Sequence, residues 1–216
     1  RRKLPCTTFL MALLDNNSEE YLKECNEKNL EPDRTKLIGM TREDILNFFY
    51  QSQAYQLNSQ KWTTKFFEGN YKAQRLTYDL IDYSKNKVVA EAGEKITQRK
   101  IKSLIENGLK LIEVKEEEII GKFIAEDVIN ENTGEVYAEA GDEVTEDLLQ
   151  LCKLKDLHTL NILSIDNSSV GPWIRNTLAL DKNSSREEAL VDIYRVMRPG
   201  EPPAHETAEI LFNNLF

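Results

Sequence analysis

Histidine and cysteine are scarce in this chain of 216 residues, with only His158 and His205, and Cys6, Cys25 and Cys152 far apart. Two histidines and three scattered thiols support neither a metal knuckle nor a disulfide framework, so reduced, partly buried cysteines are expected. His205-Glu206-Thr207-Ala208-Glu209 opens like a zinc-protease helix, but Glu209 stands where the second histidine belongs. No apolar run reaches the ~20 residues that span a bilayer. Arg1-Arg2-Lys3 begins like a charged leader, but Pro5 and two threonines break up the apolar stretch behind it, so a cytoplasmic chain is expected. Nucleophile elbow, Walker motif and Ser-His-Asp arrangement are missing too. Carboxylate runs such as Glu116-Glu117-Glu118 and Glu187-Glu188 read as solvated faces.

What remains is an ordinary globular composition, 40% hydrophobic and 30% charged, long enough for one large domain or two modest ones. The net charge of −9 argues against a free-standing nucleic-acid binder. The surplus sits in the middle: residues 49–170 carry 15 Lys/Arg against 21 Asp/Glu, and the remainder 13 against 16. Such a middle is expected to repel phosphate and to face solvent or a protein partner.

The middle also repeats itself. Leu80-Ile81-Asp82 through Ala90-Glu91-Ala92-Gly93-Glu94-Lys95-Ile96-Thr97 is echoed by Val128-Ile129-Asn130 through Ala138-Glu139-Ala140-Gly141-Asp142-Glu143-Val144-Thr145, at a constant offset of 48 residues. Each stretch has a strand, a polar turn (Ser84-Lys85-Asn86, or Asn132-Thr133-Gly134) and a second strand. Thr97 and Thr145 then stand at helix N-caps. Ile101, Leu104 and Ile105 form one apolar stripe, and Leu148, Leu149 and Cys152 the other. Gly108 reads as a left-handed helix stop. Leu109 to Val114 alternates like a strand, as does Leu157 to Leu163. Residues 80–114 and 128–162 are therefore expected to be two strand–turn–strand–helix–strand units in one small α+β domain. A phosphate loop is excluded, because each single glycine is flanked by carboxylates. A carrier-type hairpin would present Lys85 at its tip, but the second stretch has no lysine there.

Around the middle, Pro5 to Leu14 reads as a helix, and a short helix is expected near Tyr21-Leu22-Lys23-Glu24. Thr41-Arg42-Glu43-Asp44 resembles a capping box opening a helix with Ile45, Leu46, Phe48 and Phe49. Gln51 to Tyr78 is ambiguous; its aromatics Tyr55, Trp62, Phe66, Phe67 and Tyr71 offer either a binding surface or, more commonly for such residues, core or domain-joint packing. Ser164 to Gly171 has the composition of a linker. The expected organisation is a discontinuous, mainly helical domain, 1–48 and 171–216, interrupted by an α+β domain at 49–170.

Near the end, Met197-Arg198-Pro199-Gly200-Glu201-Pro202-Pro203 places three prolines and a glycine in five positions, a rigid corner between two helices, the second with Ala208, Leu211 and Phe212 at helical spacing. That string, the Phe212-Asn213-Asn214-Leu215-Phe216 run and the opening Arg1-Arg2-Lys3-Leu4-Pro5 resemble the lobe of the β subunit of bacterial DNA-directed RNA polymerase. In that family the lobe is interrupted here by a lineage-specific insertion. The resemblance implies a non-catalytic piece of a nucleotidyltransferase active in transcription, with catalytic magnesium and zinc elsewhere in the parent enzyme and no cofactor in this stretch. It implies as partners the β', α, ω and sigma subunits, and DNA through the lobe, and it leaves room for a regulatory protein on the insertion; no membrane is involved. The positions matching phosphate-contacting residues are Arg1, Arg2, Lys3 and Arg198, with Arg195 as a secondary candidate. For Arg198 a turn-stabilising pair with Glu201 stays open beside the DNA contact. The opening at Arg1 and the close within a motif suggest an excised fragment. The alternative is a free-standing acidic scaffold that binds proteins through its duplicated module.

Overall fold

The structure, a computed structural model, describes residues 3–33, 36–71, 75–130, 133–165 and 170–215. It is a mixed α/β chain with a mostly antiparallel sheet, and it divides into two compact units, Arg1–Phe49 with Pro172–Phe216, and Tyr50–Gly171.

The chain begins with α1 (Cys6–Ala12), started by Pro5, whose missing N–H costs nothing at a helix start. The second helix, α2 (Asn16–Glu27), is longer than the short one expected near Tyr21. Asp15 supplies the cap, accepting from the Ser18 N–H at 2.7 Å. The buried Ser18 hydroxyl in turn donates to Lys36 O and accepts from the Ile38 N–H. Polar side chains that suggest a loop thus serve as caps and ties. Before α3 (Arg42–Phe49), Thr41 and Asp44 bond reciprocally: the Asp44 carboxylate accepts from the Thr41 N–H, and the Thr41 hydroxyl from the Asp44 N–H.

Unit 2 opens with a hairpin, β1 (Ser52–Asn58) and β2 (Lys61–Lys65). Its two-residue turn, Ser59-Gln60, has φ of 49° and 66°, the left-handed pair that matches strand twist. A first segment comes next, with β3 (Leu80–Asp82), β4 (Lys87–Ala90), α4 (Gln98–Glu106) and β5 (Leu111–Val114). After α5 (Glu116–Ile119), a second segment has β6 (Val128–Ile129), β7 (Val136–Ala138), α6 (Glu146–Leu154) and β8 (Thr159–Leu163). The main sheet has the order β4-β3-β5-β2-β1-β8, with β6 and β7 paired apart. Both β5 and β8 flank the β1–β2 hairpin antiparallel. Trp62, Ile96, Ile101, Ile112, Ile124, Leu149, Cys152 and Ile162 belong to the buried core of this unit.

The two segments carry the same bonds at an offset of 48 residues. Gly93 donates to Leu76 O and Gly141 to Ile124 O, both at 2.8 Å and both with left-handed φ, 82° and 92°. Asp79 accepts from the Ala92 N–H, and Asp127 from the Ala140 N–H, both at 2.7 Å. Thr97 and Thr145 cap their helices by accepting from Lys100 N and Leu148 N. Each hairpin has one register shift, after Leu80 or after Val128. The segments differ at the sheet: Ile81 and Asp82 pair with β5, whereas β8 is met by Ile124, opposite Ile162. Several apolar expectations fail: Phe48 and Phe49 on α3, and Phe67, are 74%, 43% and 55% exposed. Ile105 is 47% exposed while Ile101 and Leu104 are buried, because only two positions of that stripe face the core. Asn132 and most of the linker (166–169) lie outside the described residues.

The chain returns to unit 1 through α7 (Trp173–Leu180), α8 (Arg186–Met197) and α9 (His205–Asn213). Helix α1 packs against α3, α7 and α8, and α8 against α9. Two polar ties join distant parts of the chain. The buried Asp181 carboxylate accepts from the Thr7 and Thr8 hydroxyls at 2.5 and 2.9 Å, and from the Asn183 N–H and side-chain amide at 3.1 and 3.0 Å. Arg186 donates to Ala12 O at 3.2 Å and pairs with Glu209 at 3.0 Å.

Candidate nucleic-acid interface

The expected phosphate-contacting residues all fall in unit 1. Arg1 and Arg2 lie outside the described residues. Lys3 is exposed ahead of α1, with no bond to Arg195 or Arg198 among the described residues. Arg195 and Arg198 stand three residues apart where α8 ends, so positive charge meets the negative end of the helix dipole.

Local chemistry shapes that end of α8. At its start, Ser185 caps Glu188 N, and the Glu188 carboxylate accepts from Ser184 N and Oγ at 2.8 and 3.0 Å. Those bonds, the backbone one foremost, hold Glu188 below the usual carboxylate range. At its end, the Arg198 N–H closes on Tyr194 O at 2.8 Å, and Gly200 takes φ +93°. The Tyr194 hydroxyl donates to Glu201 at 2.9 Å, which holds that phenol above its ordinary value. The Pro-rich corner is thus pinned by Tyr194 and Glu201, a tie that residue spacing did not suggest.

Arg198 also reaches Glu201, at 3.8 Å, with both side chains more than half exposed. An ion pair so exposed contributes about 0–1 kcal/mol. The Arg198 side chain stays 57% exposed beside Glu201, so the turn pair does not bury it. Arg195 stands 3.6 Å from Asp192 and is 55% exposed. Beside it runs an open groove of about 540 Å3, in which Lys182, Arg195 and His205 face Glu187, Glu188 and Asp192. Alternating signs of this kind make no anion cradle. Among the described residues no group of three or more His, Cys, Asp or Glu is placed to hold a metal ion, and no helix is long and apolar enough to cross a membrane.

No family model matches the chain. Its similarity to curated proteins runs over its whole length. It is 43% identical over 219 residues to the DNA-directed RNA polymerase subunit beta of Gluconobacter oxydans (strain 621H), covering 100% of this chain and 15% of that protein. It is 38% identical over 216 residues to the subunit of the same name from Rhizobium leguminosarum bv. trifolii (strain WSM2304), covering 100% and 14%. With that of Jannaschia sp. (strain CCS1) it shares 42% over 228 residues, covering 100% and 15%. The chain therefore spans about one seventh of the curated relatives it matches, and along that stretch it is similar throughout to DNA-directed RNA polymerase β subunits of bacteria.

Proposed function

We propose that unit 1 is the lobe of an RNA polymerase β subunit, that it helps wall the DNA cleft through phosphate contacts, and that unit 2 is a lineage-specific insertion serving as a surface for protein interaction. The observation that carries this reading is the identity of 38–43% along the entire chain to proteins of that name. The parent enzyme joins nucleotides, and this stretch contributes binding rather than chemistry, with its metals held elsewhere. Its partners are the other subunits of the polymerase in the cytoplasm. We further infer that the two segments of unit 2 are copies of one module. Caps, turns and register shifts that recur at one offset support that, since unrelated segments have no reason to share all three.

Phosphate contacts carry affinity and salt dependence without base readout. Charge reversal at Arg2, Lys3 or Arg198 in the intact enzyme should therefore shorten open-complex lifetime at every promoter about equally. Each lost contact should lower the log–log salt slope by about 0.9. Bond formation on a pre-assembled scaffold should persist. If lifetime and slope stay unchanged in all three variants, the cleft-wall role is wrong and Arg198 serves its turn alone.

A further inference from the structure

The acidic total of unit 2 conceals two segments of opposite character. Residues 75–114 hold eight Lys/Arg against six Asp/Glu, while the matching residues 123–162 hold two against ten. The framework does not require this. The carboxylates that bond the backbone, Asp79 with Asp127 and Glu94 with Asp142, keep their sign in both. The reversal falls on exposed positions: Lys87 against Glu135, Lys95 against Glu143, and Arg99 against Asp147.

Four cations of the first segment come in two pairs. Arg75 and Lys95 face each other across an antiparallel bridge, where the second segment has Phe123 opposite Glu143. Arg99 and Lys102 lie one turn apart on α4, whose first turn holds no acidic residue, whereas that of α6 holds Glu146 and Asp147. All four are exposed, and none has an ion-pair partner among the described residues. Of the nearby carboxylates, Glu94 is held by Lys100 at 2.8 Å and Asp79 by the Ala92 N–H, while Glu106 stands one turn after Lys102 on α4. Arg75 is held over the turn by its bond to Gly93 O at 3.3 Å. Like charges across a strand pair and cations at a helix start both oppose folding. An anion laid across the patch would relieve both.

We propose that Arg75, Lys95, Arg99 and Lys102 form a phosphate-contact surface on unit 2 that takes the backbone of duplex DNA, while the second segment repels it. The inference rests on the polymerase reading, because DNA is the polyanion of that enzyme. It also replaces the expectation, drawn from net charge, that the whole middle of the chain repels phosphate.

The test uses the residues that the second segment itself carries. In the intact polymerase, Lys95→Glu with Arg99→Asp should shorten retention on duplex DNA and lower the salt slope by about 1.8, two contacts at about 0.9 each. Glu143→Gln with Asp147→Asn should leave the slope unchanged. Trp62 fluorescence of the same variants in the 216-residue chain, in a Trp173→Phe background, checks that the unit still folds. An unchanged slope in the Lys95/Arg99 variant overturns the proposal, and so does loss of binding to an acidic protein with DNA retention intact. If the Lys3 and Arg198 variants alter retention and the Lys95/Arg99 variant does not, only this inference fails. If none of them does, the cleft-wall reading fails with it.

Discussion

Replacing Asp181 by alanine should unfold unit 1 at far lower denaturant than the native chain needs. The carboxylate accepts four hydrogen bonds, from Thr7, Thr8 and twice from Asn183, and it is only 5% exposed. Each buried donor left without an acceptor costs about 1–3 kcal/mol. The four costs do not add, since Asn183 can turn and the threonine hydroxyls can seek backbone carbonyls, so a net loss of about 3–4 kcal/mol is expected. Against a domain stability of about 5–15 kcal/mol that is a large fraction. With a urea m-value of about 1–3 kcal/mol/M, the midpoint should fall by roughly 1–4 M. Two probes separate the units. Most helical residues lie in unit 1, so far-UV circular dichroism follows it. Trp62, 1% exposed in the core of unit 2, reports the other by fluorescence in a Trp173→Phe background. The dichroism transition should move and the Trp62 transition should stay. Asp181→Asn, which keeps one oxygen, should cost less. An unfolding free energy for Asp181→Ala, followed by dichroism, within about 0.5 kcal/mol of the native value would refute the view that this carboxylate clasps α1 to the α7–α8 turn.

A methyl group on Gly39 would collide with the carbonyl oxygen of Met11 and lie 2.8 Å from Arg186 Cβ. The Leu14–Gly39 bridge stops the backbone from retreating, so Gly39→Ala should cost about 2–4 kcal/mol in thermal or urea unfolding. Gly108→Ala, which meets only open space at φ +82°, should cost about 1–2 kcal/mol; equal losses at both sites would contradict the packing argument. Thiol titration at pH 8 should label Cys6 quickly, and Cys25 and Cys152 only after denaturation, because only Cys6 is exposed. Burial pushes the Cys152 thiol up to about 11 from an ordinary 9.0. Its contribution to stability is therefore complete below pH 9 and declines as pH rises toward 11. A second thiol reacting at once in the native protein would count against that burial.

Local chemistry was legible in the residues. Thr41, Thr97 and Thr145 sit where a side-chain oxygen meets free helix N–H groups, and Gly108 where the backbone turns left-handed; a cap or turn involves only residues within a few positions of itself. The resemblance carried by the termini was legible too, and full-length similarity to β subunits agrees with it. Three features required the folded chain. Ser59-Gln60 closes a hairpin without glycine, and the aromatic stretch around it resolves into strands only because β5 and β8 arrive on either side. The Asp181 clasp joins residues more than 170 positions apart, a separation at which spacing carries no signal. The basic patch was hidden by summation. Composition adds charges over a whole stretch, whereas the bridge between Arg75 and Lys95 and one turn of α4 decide which cations become neighbours.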